Sequence, residues 1–527
     1  MIRVRQVKVE VLKDNFEVLK EKTIAKLGIR YKTLKDLIIV KKSIDARDKN
    51  NVMYIYEVNV VVDNEDRLVK KLKSKDVSKI EEEKYELPEC GSDALDNRPV
   101  IIGSGPCGLF CALILAEAGF KPIVFERGER VEDRINSVEM FWKHGKLNNN
   151  SNVCFGEGGA GTFSDGKLNT LVNDKSGRIK KVFDTFIESG APVEVAYLNK
   201  PHVGTDVLRD VIINIRNRII SLGGEINYYS CLTDINVVDN RIKSITINKT
   251  KTIDCDVLVL ALGHSARDTI KMLYEKGLVM ESKPFAVGIR VQHPQKMIDE
   301  NQYGKYSKVL DHASYKLTHQ TENGRGVYTF CMCPGGYVVN SSCEEGHLII
   351  NGMSYNKRDS ENANSAVVVT VNKEDLGNNP LDGIEFQRKL EALAYRKGNG
   401  KIPVQLWKDY RDNKESKEFG NINPVFKGDY RFGNLNEIFP YYINESLKEA
   451  MEVFDKKISG FASDDTILAA VESRTSSAVR IIRDNNLVSN IEGIYPSGEG
   501  AGYSGGIVTS AIDGIKTAEA IIKKYKL

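Results

Sequence analysis

The sequence predicts an α/β protein built around one parallel β-α-β unit, with a small α+β unit in front of it and a second α+β unit inserted into it. Three observations predict this. The aliphatic strand Pro99-Val-Ile-Ile102 runs into Gly103-Ser-Gly-Pro-Cys-Gly108, a helically spaced apolar stretch and a second strand, Lys121-Pro-Ile-Val-Phe-Glu126. Before it, aliphatic alternation, a helical stretch and two more strand-like runs follow in β-α-β-β order. After it, from about residue 283, strands and helices mix among many Gly and Asn turns until the chain returns, near Gly493, to a strand and a terminal helix.

Length and composition agree with several domains. With 527 residues, 41% hydrophobic, the chain can bury more than one core, and roughly 150 residues per domain gives two to four. The 75 Lys+Arg nearly cancel 72 Asp+Glu, so the net charge of +3 exerts no global pull toward nucleic acid or an anionic membrane. Apolar runs such as residues 256–263 are strand-sized, short of the roughly 18 residues that span a bilayer, so a soluble protein with no membrane partner is expected. The start alternates charged and aliphatic residues, unlike a secretion signal, and nine cysteines without C-x-x-C pairs suit reduced thiols in a cytoplasm.

Taken in order, residues 1–90 form the first unit and its linker. Ile2, Val4, Val7, Val9 and Val11 alternate, residues 16–27 have helical spacing, and 37–40 and 52–62 read as strands, which suggests a ferredoxin-like sandwich. Residues 1–50 carry 14 basic against 7 acidic side chains, with Lys41, Lys42, Arg47 and Lys49 close together. A solvated face explains this, and a surface for nucleic acid or an acidic partner is the alternative. Residues 63–97, rich in Lys, Glu, Asp and Ser, read as a linker. Residues 91–282 form the first part of the dinucleotide-binding unit, with a helix at 208–222, strands and turns at 225–247 and a core strand at 252–262. Residues 283–484 form the inserted unit, and 485–527 close the unit begun at residue 91 with a helix at 506–524.

The glycines of Gly103-Ser-Gly-Pro-Cys-Gly108 follow a strand and open a helix, the context in which G-x-G-x-x-G binds a dinucleotide. Gly103 permits the tight turn, Gly105 leaves room for a pyrophosphate and Gly108 lets helix and strand pack, while amides at the helix start face the phosphate charge. Glu126 ends the next strand, 23 residues after Gly103, where a carboxylate can accept from both hydroxyls of an adenosine ribose. A second loop, Gly498-Glu-Gly-Ala-Gly-Tyr-Ser-Gly-Gly506, lies between a strand and the last helix and can face another part of the same cofactor. A nicotinamide cofactor on a lone dinucleotide domain has little need of it, so the cofactor is read as FAD. No second G-x-G-x-x-G occurs, and a nicotinamide used as a transient electron donor, NAD(P)H, would enter the flavin pocket itself.

With these elements the chain resembles the FAD-dependent oxidoreductases that carry the glutathione-reductase type of FAD domain. In that group a C-terminal Gly-Asp holds the flavin ribityl, and Glu499 stands where the Asp would be. Four motifs narrow the resemblance: Asn152-Val-Cys-Phe-Gly-Glu-Gly-Gly-Ala-Gly-Thr-Phe-Ser-Asp-Gly-Lys-Leu168, Leu262-Gly-His-Ser-Ala-Arg-Asp268, Phe330-Cys-Met-Cys-Pro-Gly-Gly336 and the C-terminal glycine loop. Together with Ser43-Ile-Asp-Ala-Arg47 they are similar to a bacterial family of uncharacterised FAD-dependent, or NAD-utilising, dehydrogenases, over nearly the whole chain. The resemblance implies FAD and redox chemistry and names no substrate. The expected cofactor contacts are Gly103, Ser104, Gly105, Pro106, Cys107, Gly108, Glu126 and Arg127 near the start of residues 91–282. Gly158, Gly159, Gly161 and Thr162 in the Asn152–Leu168 motif join them, as do Gly263, Gly498, Glu499, Gly505, Gly506 and Ile507 late in the chain.

Four residues are candidates for chemistry. Lys167 places a cation near the flavin or on the surface. His264 moves a proton beside the flavin, or is satisfied by a capping box of Ser265 with Asp268. Cys333 and its neighbour Cys331 sit at i and i+2, so an extended strand turns both sulfurs to one side as a redox pair or as two buried hydrophobes. Arg474 binds an anionic substrate, steadies reduced flavin or makes a structural ion pair. The expected reaction passes hydride from a donor to flavin N5 and electrons on to a small-molecule acceptor under the inserted unit. A flavoprotein that modifies RNA, with the basic N-terminal unit as its arm, is the alternative. No metal-ligand cluster or nucleophile motif is read.

Overall fold

The N-terminal alternation becomes an antiparallel four-stranded sheet in a computed structural model that describes every residue except 82, 83, 165, 171 and 173. Its order is Leu34–Asp45, Met53–Val62, Ile2–Glu10, Val77–Lys79. The helices Phe16–Leu27 and Glu65–Leu72 complete a β-α-β-β-α-β unit of ferredoxin-like order. Residues 63–97 are therefore not all linker. The helix Glu65–Leu72 reads as charged, yet Leu68, Val69 and Leu72 pack on the core of Ile2, Val4, Val58 and Val60. The strand Val77–Lys79 is too short to show alternation. Asp165, within the Asn152–Leu168 motif, and residues 82 and 83, within the predicted linker, lie outside the described residues.

The central sheet is wholly parallel, in the order Ile494–Pro496, Leu258–Leu260, Val100–Ile102, Ile123–Phe125, Glu225–Asn227. Val100–Ile102 is the strand from which the chain runs first to one side and later to the other, so the crevice beyond its C-terminal end is the cofactor position of an open α/β sheet. The strand read at 252–262 is two: Lys251–Asp254 belongs to a three-stranded antiparallel meander with Leu232–Val238 and Arg241–Ile247, and Leu258–Leu260 to the parallel sheet. The helices Pro106–Glu117 and Ile507–Lys524 lie side by side, close enough that a Cβ on Gly514 would stand 2.1 Å from the Cys107 carbonyl oxygen.

A two-stranded neck, Met280–Ser282 against Val479–Ile481, carries the chain out of this unit and back. Between them stands a seven-stranded, mostly antiparallel sheet centred on Phe285–Pro294 and Ile467–Glu472, with the helices Asp382–Gly398 and Tyr441–Lys457 packed on it. The core is continuous across the neck: Val100, Phe125 and Leu258 belong to the same buried cluster as Val287, Val369 and Leu468. Among the described residues no helix is long and apolar enough to cross a membrane.

Candidate functional site

Two helices begin at the crevice, and both begin on glycine. Gly105 is the N-cap of Pro106–Glu117 and Gly506 that of Ile507–Lys524, and neither helix start receives a side-chain cap. Their first-turn amides are thus left for an anion. Pro106 and Ile507, the first residues of the two helices, line one small apolar cavity together with Gly158 and Gly161, so the two N-termini converge.

The glycines divide into two sets. A Cβ on Gly103 would meet the Ala261 oxygen at 2.5 Å, on Gly108 the Gly103 oxygen at 1.9 Å, and on Gly498 the Cys107 Cβ at 2.9 Å, so these positions let backbones cross. A Cβ on Gly105 would find its nearest neighbour at 3.8 Å, one on Gly506 at 3.7 Å, and those on Gly263 and Gly505 nothing within 4 Å. The second set keeps side chains out of the crevice without any packing need. Uncapped amides beside such open glycines fit the pyrophosphate and flavin of FAD.

Other expected contacts are turned to their own chain. Glu126, nearly fully buried, accepts from Ser104 N and Oγ at 2.9 and 2.8 Å on one oxygen, and from Gly128 N and Gly156 N at 2.9 and 3.1 Å on the other. A ribose hydroxyl would replace one of these donors. Arg127 lies over the Phe155 ring and donates to Asp268 at 2.7 Å. Cys107 faces Ser497 at 3.1 Å, where burial pushes its thiol up to about 12, so only its backbone can serve a cofactor.

The loop of Gly158, Gly159 and Gly161, expected to contact the cofactor, is held on both sides by its own chain. The buried Arg134 donates to the carbonyls of Asn152, Val153, Gly156, Glu157 and Gly159 at 2.7 to 3.2 Å. Five of its amides are spent, Gly156 on Glu126, Glu157 on the Glu129 carbonyl, Gly158 on the Ser104 carbonyl, Gly159 on the Gly156 carbonyl and Thr162 on the Gly159 carbonyl. Thr162 is buried and turns its hydroxyl to the Glu157 carbonyl at 3.4 Å. The loop lies over the phosphate loop, with a Cβ on Gly159 only 3.1 Å from the Gly105 Cα.

The end of the core strand meets the C-terminal glycine loop. Ser497 N donates to the Leu260 carbonyl and Gly500 N to the Leu262 carbonyl, each at 3.0 Å, and this register sets Glu499 Oε1 3.1 Å from His264 Nδ1. The expected capping box is absent. The helix Arg267–Glu275 has Ala266 at its N-cap with no side-chain bond, because Ser265 Oγ accepts from Arg474 at 2.8 Å and Asp268 pairs with Arg127.

Arg474 is 6% exposed and shares the buried Glu391 with Arg267: Arg474 donates at 3.0 and 2.8 Å, Arg267 at 2.8 and 2.9 Å. Burial works to raise the Glu391 carboxyl, but Arg474 and Arg267 overcome it and hold it well below the usual range. The remaining Arg474 nitrogen reaches Ser265 and, at 2.9 Å, the Cys343 sulfur. An ion pair and a donor to Ser265 and Cys343 are therefore combined in one side chain.

Lys167 meets the Cys331–Cys333 strand, its ammonium donating to the Met332 carbonyl. The two sulfurs do not share a face. A bulge between Phe330 and Cys333, with Cys331 at φ 42°, breaks the two-residue period, so Cys331 is exposed and Cys333 fully buried. Behind Cys333 lies Arg290, fully buried and bonded to Glu472 at 2.9 Å and Asn364 at 2.8 Å. The structure thus brings His264 to Glu499 and Arg474 to Ser265, and sets Lys167 and Cys333 at a second cluster joined to the first through residues 472–474.

Sequence reasoning passed over Arg134, Arg267, Arg290, Glu391, Cys154 and Cys343. Glu391 could have been found, since it falls on the apolar face of its helix with Ile384, Leu390 and Ala394. The others carry no local signal.

Comparison with known proteins agrees with this geometry. Residues 284–475 match the family model described as FAD-dependent protein, C-terminal domain-like. Residues 101–149 match an NAD(P)-binding Rossmann-like domain and residues 1–61 a domain of unknown function, DUF8436. Fold and site define an FAD-dependent oxidoreductase. Within that class the chain belongs to the family of an uncharacterized protein of Clostridium beijerinckii, 49% identical over 523 residues, which covers 98% of each chain. Among solved structures, a flavin-dependent brominase aligns over 81% of this chain and 79% of its own, at 14% identity and a TM-score of 0.36. L-proline dehydrogenase from P. horikoshii aligns over 83% and 94%, at 11% identity and a TM-score of 0.36.

Proposed function

We propose that this oxidoreductase acts on a small molecule held between the end of the core strand and the inserted unit, with NAD(P)H as its transient electron donor. The observation that carries the reading is the convergence of two uncapped helix N-termini on a crevice walled by glycines with open Cβ positions. Gly105, Gly506 and Ile507 would hold the pyrophosphate of FAD through backbone amides, with Pro106, which has no N–H, opening the first helix, and Glu126 would hold the adenosine ribose. FAD, when bound, supplies the ring that takes up and gives out electrons.

The chain's own residues bind and move protons. With Nδ1–H donating to Glu499 at 3.1 Å, the neutral His264 ring keeps Nε2 as its acceptor, the tautomer a proton-transfer group needs. Arg474 brings a positive charge beside Ser265, held in place by Glu391 and suited to an anionic group on substrate or cofactor. Nothing favours the RNA reading: Lys42 pairs with Asp14 at 2.7 Å and Arg47 with Asp45 at 2.5 Å, which neutralises two of the basic residues that suggested it.

Anaerobic mixing of the FAD-loaded protein with NADH and with NADPH, followed by quinones, enones and tRNA as acceptors, tests the reading. Bleaching by a nicotinamide and reoxidation by a small acceptor are expected. Reoxidation by tRNA alone would overturn it.

A further inference from the structure

Two cysteines that no step above uses meet between the dinucleotide-binding unit and the inserted unit. Cys154 lies in the loop gripped by Arg134, and Cys343 in the turn after the strand Tyr337–Asn340. They are 189 residues apart in the chain, yet the Cys154 sulfur lies 3.5 Å from the carbonyl oxygen of Ser341, two residues before Cys343, and interacts with the Cys343 thiol. Arg474 stands over the pair, 2.9 Å from the Cys343 sulfur. Trp142, close in sequence to Cys154, fixes the same turn by donating to the Asn340 carbonyl at 2.9 Å. Cys154 is partly exposed, and a cavity of about 630 Å³ opens beside the turn, lined by Trp142, Asn340, Ser342 and Glu344.

The chemistry of the two sulfurs is unequal. The hydrogen bond from Cys343 lowers the Cys154 thiol well below its ordinary value, with Arg474, Ser265 and Arg134 assisting against burial. Cys343 moves the opposite way, raised by that same bond to Cys154 and by burial. Glu391 and Glu344 lie beyond Arg474 and temper its charge. A partly exposed thiol beside a buried one, with a guanidinium at the pair, is the arrangement of an attacking and a resolving cysteine. Cys107 and Cys255 are both pushed up to about 12, and Cys111 well above its ordinary value, chiefly by burial.

We propose that Cys154 and Cys343 form a redox-active dithiol that exchanges with low-molecular-mass disulfides. The Cys154 thiolate attacks one sulfur of the disulfide, forming a mixed disulfide and releasing one thiolate. Cys343 then gives up its proton and attacks the Cys154 sulfur, and the second thiolate leaves. The protein's two thiols lose two electrons, the small disulfide gains them, and the released thiolates take up protons. The closed bond ties the dinucleotide-binding unit to the inserted unit. None of these steps needs FAD, so the proposal stands or falls apart from the flavin reading.

The full chain, reduced and desalted without oxygen, is exposed to 2-hydroxyethyl disulfide, blocked with N-ethylmaleimide and mapped by peptide mass spectrometry. The expected product is a Cys154–Cys343 crosslink, with Cys107 and Cys255 alkylated as thiols. Cys343→Ser is expected to trap the mixed disulfide on Cys154, and Cys154→Ser to leave Cys343 unmodified. In the wild-type protein, alkylation of Cys154 by iodoacetamide should reach its half-maximal rate at lower pH than that of the exposed Cys90, below the ordinary thiol value of about 8.5. The proposal is overturned if Cys154 and Cys343 are both recovered as alkylated thiols after Cys90 and Cys331 have reacted, or if the crosslink forms only in denaturant.

Discussion

Arg134 shows how one residue can fix a loop that its own sequence leaves loose. Five carbonyls of residues 152–159 converge on its guanidinium, which is fully buried. A hydrogen bond to a charged donor is worth roughly 1.5–3 kcal/mol, and acceptors left buried and unmet cost a similar amount. Arg134→Ala is therefore expected to lower unfolding free energy by at least about 3 kcal/mol in urea titrations and to weaken FAD retention. Unchanged stability would mean that the loop holds itself. The glycines of this loop could be read from the sequence, but not the arginine that grips them, because Arg134 lies on a helix with ordinary amphipathic spacing. His264 and Glu499 were singled out separately; their 3.1 Å contact spans 235 residues and depends on the parallel pairing of two strands.

At the scale of elements, local pattern was readable wherever it had length. The step from Val4 to Val7 interrupts the alternation of the first strand, and the structure has a bulge there, with Gln6 at φ 54°. The strand of Cys331 and Cys333 has the same kind of interruption with nothing in the sequence to mark it, so the expectation of two sulfurs on one face failed. The helix Asp382–Gly398 reaches from the inserted unit to the dinucleotide-binding unit through Glu391, which bridges Arg474 and Arg267. Its depressed folded pKa means that the stabilisation is present above the unfolded value of about 4.3 and is lost as pH falls through the folded value. Glu391→Gln leaves two buried guanidiniums short of a countercharge and is expected to cost about 3–5 kcal/mol at neutral pH. The variant should also show a flatter loss of stability below pH ~4 in acid denaturation. An acid limb identical to that of the wild type would contradict this role.

Over the whole molecule, the β-α-β core, its glycine loops and the inserted α+β unit follow from patterns of strand and helix that the sequence displays openly. The contacts between units do not. One buried cluster runs from Val100 and Leu258 into Val369 and Leu468, and no run of residues announces which surfaces will join. The N-terminal unit keeps a core of its own and touches the rest in part through Val11, Val52 and Leu310. The account rests most heavily on the crevice between the two helix starts, where Gly105 and Gly108 stand three residues apart in opposite roles. A methyl on Gly108 collides with the Gly103 oxygen at 1.9 Å, whereas one on Gly105 meets only ordinary contact at 3.8 Å. The most direct test is an FAD titration of wild-type protein and Gly105→Ala, followed by flavin fluorescence, with thermal unfolding of both apoproteins measured alongside. The account predicts that Gly105→Ala unfolds within a few degrees of the wild type and binds FAD at least about tenfold more weakly, a loss of about 1.4 kcal/mol or more. Equal affinity for FAD in the two proteins, or no binding by the wild type, would contradict it.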